Sequence, residues 1–124
     1  MTWDWPSFTP EEMACRGDGS VHMDPEFMDR LQDLRNALGF PFIINSAYRT
    51  PEYDRSIGGA GVHPMGRAVD LRVYGHRAFE IVTRAKAYGF TGIGVSQKGP
   101  RVSRFIHLDD LPNGDHPRPW VWTY

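Results

Sequence analysis

The stretch Ala68-Val-Asp-Leu-Arg-Val73 decides the fold, and Arg104-Phe-Ile-His-Leu-Asp109 answers it from far along the chain. Both alternate with a period of two, the pattern of a strand buried on one face. In the first, Val69, Leu71 and Val73 share a face while Ala68, Asp70 and Arg72 share the other. In the second, Ile106 and Leu108 point one way, and Phe105, His107 and Asp109 point the other. If the two strands pair, their apolar faces join one core and Asp70 meets His107 on the opposite, open face.

The surrounding sequence supplies helices for that core. Thr9-Pro10 with Glu12 forms a capping box that starts a short helix. Asp24-Pro25 starts a second, in which Phe27, Leu31, Leu34 and Leu38 recur at helical spacing until Gly39 ends it. Residues 42–46 read as a strand. Residues 47–66 read as a long Gly- and Pro-rich loop with room for a short helix over 52–56, and a loop of that length in a small domain usually carries function. A third helix over 76–88 is predicted to turn Phe79, Ile81 or Val82, Ala85 and Tyr88 inward and to stop at Gly89. A strand over 91–96 and a hairpin turn at 97–100 lead into the second key stretch. Residues 112–124, rich in Pro and Trp, are expected to wrap the domain as an extended strap. The expected architecture is α+β: one domain over 1–124, a small mainly antiparallel sheet with helices on one face.

Composition narrows the function. At 124 residues with a formal net charge of −1, the chain lacks the basic excess of a nucleic-acid binder. No apolar run approaches membrane-spanning length, so no membrane insertion is expected. The single cysteine, Cys15, rules out an internal disulfide and any zinc cage that needs two or more thiolates from one chain. The first residues lack the basic start and apolar centre of a signal peptide, so the chain is expected to be cytoplasmic when made.

Gly66 gives the loop before the first strand freedom to fold His63 back over Asp70, which would bring two imidazoles and a carboxylate together. Taken singly, His63 reads as an exposed loop histidine, Asp70 as a strand-edge charge and His107 as a satisfied interior histidine. A carboxylate amid Ala-Val-Leu-Val and an imidazole amid Phe-Ile-Leu both need partners, however, and a shared cation serves both. Zinc accepts such donors, and three protein ligands leave a fourth position for an acidified water, the arrangement of an amide hydrolase.

The motifs Ser46-Ala-Tyr-Arg-Thr-Pro-Glu-Tyr-Asp54, Ile57-Gly-Gly59, His63 with Gly66-Arg-Ala-Val-Asp70, and Phe105-Ile-His-Leu-Asp109 resemble the zinc D-alanyl-D-alanine carboxypeptidase family. That family includes phage L-alanyl-D-glutamate endopeptidases and shares its fold with the hedgehog signalling domain. Phe8-Thr-Pro-Glu-Glu-Met-Ala-Cys15 and the helix around Leu31 to Leu38 extend the resemblance over nearly the whole chain. It implies that His63, Asp70 and His107 ligate Zn2+, that Arg49 contacts a substrate carbonyl or carboxylate, and that the substrate is a peptidoglycan stem peptide. A guanidinium fork suits either duty of Arg49.

Two positions depart from the family pattern. Arg104 stands three before His107, where many relatives carry an acidic general base, and Gly61 stands where a serine is common. Asp109, on the same strand face as His107, is the candidate catalytic replacement, with hydrogen-bonded orientation of His107 as its rival duty. Asp115 and His116 lie in a turn that could swing in. Trp3, Trp5, Trp120 and Trp122 are expected to staple the termini to the core rather than to stack sugars, and His22 and His76 to be exposed. The expected function is a monomeric zinc peptidase of phage or prophage cell-wall lysis, acting on the wall after release or as part of a phage particle. The alternative is a non-catalytic, zinc-stabilised peptidoglycan-binding or phage tail module.

Overall fold

The two alternating stretches form neighbouring strands of a five-stranded sheet in the computed structural model, which describes residues 2–124. In chain order the strands are β1 (Ile43–Ser46), β2 (Ala68–Arg72), β3 (Gly92–Ser96), β4 (Phe105–Asp109) and β5 (Trp120–Thr123). Their order across the sheet is β1-β2-β4-β3-β5. The pairs β1–β2, β2–β4 and β3–β4 are antiparallel, and β5 adds to the β3 edge in parallel. The fold is thus α+β with a mainly antiparallel sheet.

Helix α1 (Pro10–Met13) starts at Thr9 with both halves of the capping box made. Helix α2 (Pro25–Leu38) starts where the Asp24 carboxylate accepts from the amides of Glu26 and Phe27, and it ends at Gly39 in the left-handed region. Phe27, Leu31 and Leu34 are fully buried, and Leu38 packs at the margin. The long loop contains α3 (Pro51–Ser56), capped by Thr50, and a single 3-10 turn, His63–Met65. Helix α4 (Gly75–Ala85) continues through a 3-10 turn to Gly89.

One hydrophobic cluster joins α2, α4 and the inner faces of β2 and β4, with Val69, Leu71, Ile106 and Leu108 facing the helices. The buried stripe of α4 is Ala78, Ile81 and Ala85, with Val82 half-buried beside it. Phe79, expected inside, is 65% exposed, because it lies a third of a turn round from Ala78 and falls off the stripe. The aromatic termini divide. Trp5 is buried, donates its Nε1–H to Asp29 at 2.9 Å and meets Trp3 edge-on, as a staple should. Trp120 is instead 55% exposed and Trp122 lies in a cleft, because β5 occupies a sheet edge and both tryptophans stand on the open face, opposite Gly92 and Gly94. No helix among the described residues is long and apolar enough to cross a membrane.

Candidate metal centre

In the β2–β4 pair, Asp70 stands directly opposite His107, so the two side chains rise from the open face side by side. The third member arrives from the 3-10 turn that feeds β2. That turn is pinned by Gly66, whose left-handed backbone lies so close to the His22 carbonyl that a Cβ would collide with it. Gly66 in turn accepts from the Asp24 amide at 2.8 Å, which ties the turn to the start of α2.

Each imidazole is fixed by one nitrogen and offers the other. The Nδ1–H of His63 donates to the Ala47 carbonyl at 2.7 Å, leaving Nε2 at 3.4 Å from Asp70 Oδ2. The Nε2–H of His107 donates to Asp109 at 2.7 Å, leaving Nδ1 at 3.0 Å from Asp70 Oδ1. The donor atoms of His63, Asp70 and His107 lie within 4.8 Å of one another. Ligands about 2.0 Å from a tetrahedral ion stand about 3.3 Å apart, so both separations to Asp70 suit a shared zinc. The side chains of His63 and His107 are 6% and 3% exposed, and that of Asp70 is 13% exposed, enough to open onto solvent.

Burial alone would raise the pKa of Asp70, but with no ion between them hydrogen bonds donated by the facing ring N–H groups of His107 and His63 outweigh this and hold the carboxyl well below the usual range. Burial would lower that of His107, and the carboxylates of Asp109 and Asp70 overcome it and shift the imidazole upward. The site is thus a carboxylate clasped by two imidazoles, a set of groups that could exchange protons for a cation.

Asp109 is fully buried. Its Oδ1 accepts from Arg118 Nε at 2.8 Å, and its Oδ2 accepts from Arg118 Nη2 at 2.8 Å and from His107. Burial raises its pKa, and His107 and Arg118 bring it down to about 2. Of the two duties open to it, this is the geometry of an orienting group. Arg118 and Trp122, whose ring lies tilted 5.1 Å from that of His107, come from the segment expected to be a strap, with Trp122 expected as a core staple rather than a neighbour of the site. No local pattern marks Arg118; the one available signal was that a buried Asp109 would need a cation.

Arg49 reaches the cluster. Its Nη2 lies 3.3 Å from Asp70 Oδ2, Nη1 donates to Asp54 at 2.9 Å and Nε to Ser46 at 3.0 Å. Asp54, unassigned by the sequence reading, also accepts from the Gly61 amide at 2.9 Å and so holds the loop beside the cleft. Gly61 fits that place through its left-handed backbone. Arg104 turns away and donates to the Gly99 carbonyl at 3.0 Å. His116 lines the cleft, whereas Asp115 is exposed and does not. His22 and His76 are exposed and apart from the cluster.

The cleft has a volume of about 480 Å³. Arg49, His63, Asp70, His107, His116 and Trp122 are among the residues that line it. Buried donors, an arginine beside them and an open groove suit polarisation and hydrolysis of an amide. Comparison with curated proteins gives no match. Residues 6–109 match the family described as Peptidase M15, and the chain therefore belongs to that family of zinc-dependent metallopeptidases.

Proposed function

We propose that this chain is a zinc peptidase that hydrolyses amide bonds of peptidoglycan stem peptides, as a D,D-carboxypeptidase or an endopeptidase. The convergence of His63 Nε2, the Asp70 carboxylate and His107 Nδ1 in an open cleft carries the reading. These three would hold the ion, which when bound supplies a Lewis acid for the scissile carbonyl and a water acidic enough to attack it. Arg49 spends three of its five N–H groups on Ser46, Asp54 and Asp70, so two remain to hold the substrate's carbonyl oxygen or terminal carboxylate. Asp109, clamped by Arg118, keeps the Nε2–H of His107 fixed and Nδ1 directed at the site. His116 is the one imidazole lining the cleft outside the ligand set, and it is suited to take the proton of the attacking water and return it to the leaving amine. The chain would act as a monomer in phage or prophage cell-wall lysis, made in the cytoplasm and reaching the wall after release or on a phage particle.

One observation favours a second reading, a zinc-stabilised wall-binding or tail module without turnover: Asp70 is the sole carboxylate that lines the cleft among the described residues. Incubating zinc-loaded protein with purified muropeptides and weighing the products separates the two. Loss of a D-alanine mass, or a pair of fragments, supports the peptidase and names the bond. Muropeptides retained by the protein but intact after long incubation support the module.

A further inference from the structure

The open face of the sheet continues past the metal centre. Arg72 follows Asp70 by two residues on β2, so its side chain leaves the same face about 7 Å further along. On one side it pairs with Phe105, which lines the cleft, and on the other with Ile43 of β1. Arg72 and Ile43 line a second cavity of about 520 Å³, bounded by Tyr74 and Arg77 at the start of α4 and by Arg101 in the turn before β4. Arg72 of the second cavity stands directly opposite Phe105 of the first in the β2–β4 pair.

The second cavity is lined by three arginines and by no acidic residue, in a chain whose formal net charge is −1. Arg30, Arg49, Arg67 and Arg118 each have a carboxylate partner. No ion pair among the described residues involves Arg72, Arg77 or Arg101. Arg101 lies over the Tyr74 ring at 5.1 Å and Arg77 over Phe40 at 4.9 Å. Stacking fixes a guanidinium while leaving its edge N–H groups free for an oxyanion. Ile43 and Val102, 47% and 71% exposed, add an apolar flank suited to the methylene stem that carries a side-chain acid.

We propose that this cavity is an extension of the substrate cleft that binds a free carboxylate of the peptide, with Arg72 and Arg101 as its donors. The inference rests on the peptidase reading for the identity of the ligand. A carboxylate matches the planar arginine fork, and the 7 Å offset is about two residues of extended peptide, which puts the recognised acid about two residues from the bond that is cut.

The test uses synthetic peptides identical except that an acid two residues from the scissile bond, on either side in turn, is free or amidated. Calorimetric binding to the metal-free protein and cleavage by the zinc-loaded protein are both followed, for the wild type and for the Arg72→Gln/Arg101→Gln variant. The wild type is expected to favour one free acid by about tenfold in Kd and KM with kcat changed less than about twofold, and the variant to retain less than about a twofold preference. Equal binding of free and amidated peptides by the wild type, or an undiminished preference in the variant, overturns the inference. So does displacement of the free-acid peptide by inorganic phosphate at lower concentration than by glutarate, which would make this a phosphate site. A protein that binds with the expected preference and cuts neither peptide supports the carboxylate site and overturns the peptidase reading instead.

Discussion

Asp109 shows how burial bears on a role that alternation alone leaves open. A proton carrier must exchange its proton with substrate or solvent, and a side chain with no exposure and both oxygens bonded to Arg118 and His107 does neither. Asp109→Asn is therefore expected to weaken zinc binding by about 10- to 100-fold, read by competition with a metal chelator. Unchanged zinc affinity with a kcat lowered a hundredfold or more would return Asp109 to the catalytic role. Arg118→Ala leaves a buried carboxylate without its cation and is expected to cost about 3–5 kcal/mol in urea unfolding. The same group shapes the pH response of the chelated protein. Its carboxyl sits at about 2 against an ordinary 3.8, so its contribution is present above about pH 4 and lost as pH falls towards 2. His107 is shifted up from 6.5, so its contribution is complete below that value and lost as pH rises through the folded one. Tm without metal is expected to peak between about pH 4 and pH 6.5, and a rise from pH 6 to pH 8 would contradict the assignment.

At the scale of elements, the strands were legible where one face is buried, because period-two alternation reports burial directly. Val69, Leu71, Ile106 and Leu108 gave β2 and β4, and with them the Asp70–His107 pairing. β5 was not legible, since an edge strand built from Trp120-Val-Trp-Thr123 buries neither face in the core and so carries no alternation. The site divided along the same line. His63, Asp70, His107 and Arg49 stood out by motif and strand face, whereas Arg118 and Trp122 reach it from beyond residue 109 through tertiary contacts that leave no periodic trace. A glycine records the docking of β5. A Cβ on Gly94 would come within 2.7 Å of the Trp122 indole nitrogen, so any side chain there pushes the indole off β3. Gly94→Ala is expected to shift the Trp122 fluorescence and to cost about 1–3 kcal/mol, close to the overpacking penalty of a filled core. An unchanged spectrum and stability would mean that β5 is not seated as described.

For the whole molecule, the cluster is a joint where three parts of the chain converge. His63 belongs to a turn docked on the start of α2, Asp70 and His107 belong to the sheet, and Arg118 ties the C-terminal segment to Asp109, which accepts from His107. An ion that binds only when all three donors converge favours the folded chain over the unfolded one, so ligand binding is read as stability. At zinc about a hundredfold above its dissociation constant the gain is about 2.7 kcal/mol, which for a chain of this size raises Tm by about 10 °C. The rise is expected to vanish in His63→Ala and His107→Ala. It is expected to persist in His22→Ala and His76→Ala, whose side chains are exposed and outside the cluster. His116→Ala separates binding from chemistry: it should keep the zinc-dependent rise and lose about 100-fold or more in kcat, since a residue that moves a proton contributes to turnover without holding the ion. A rise that survives in His63→Ala would place the metal elsewhere in the molecule, and a full kcat in His116→Ala would leave the proton to a group other than the imidazole lining the cleft.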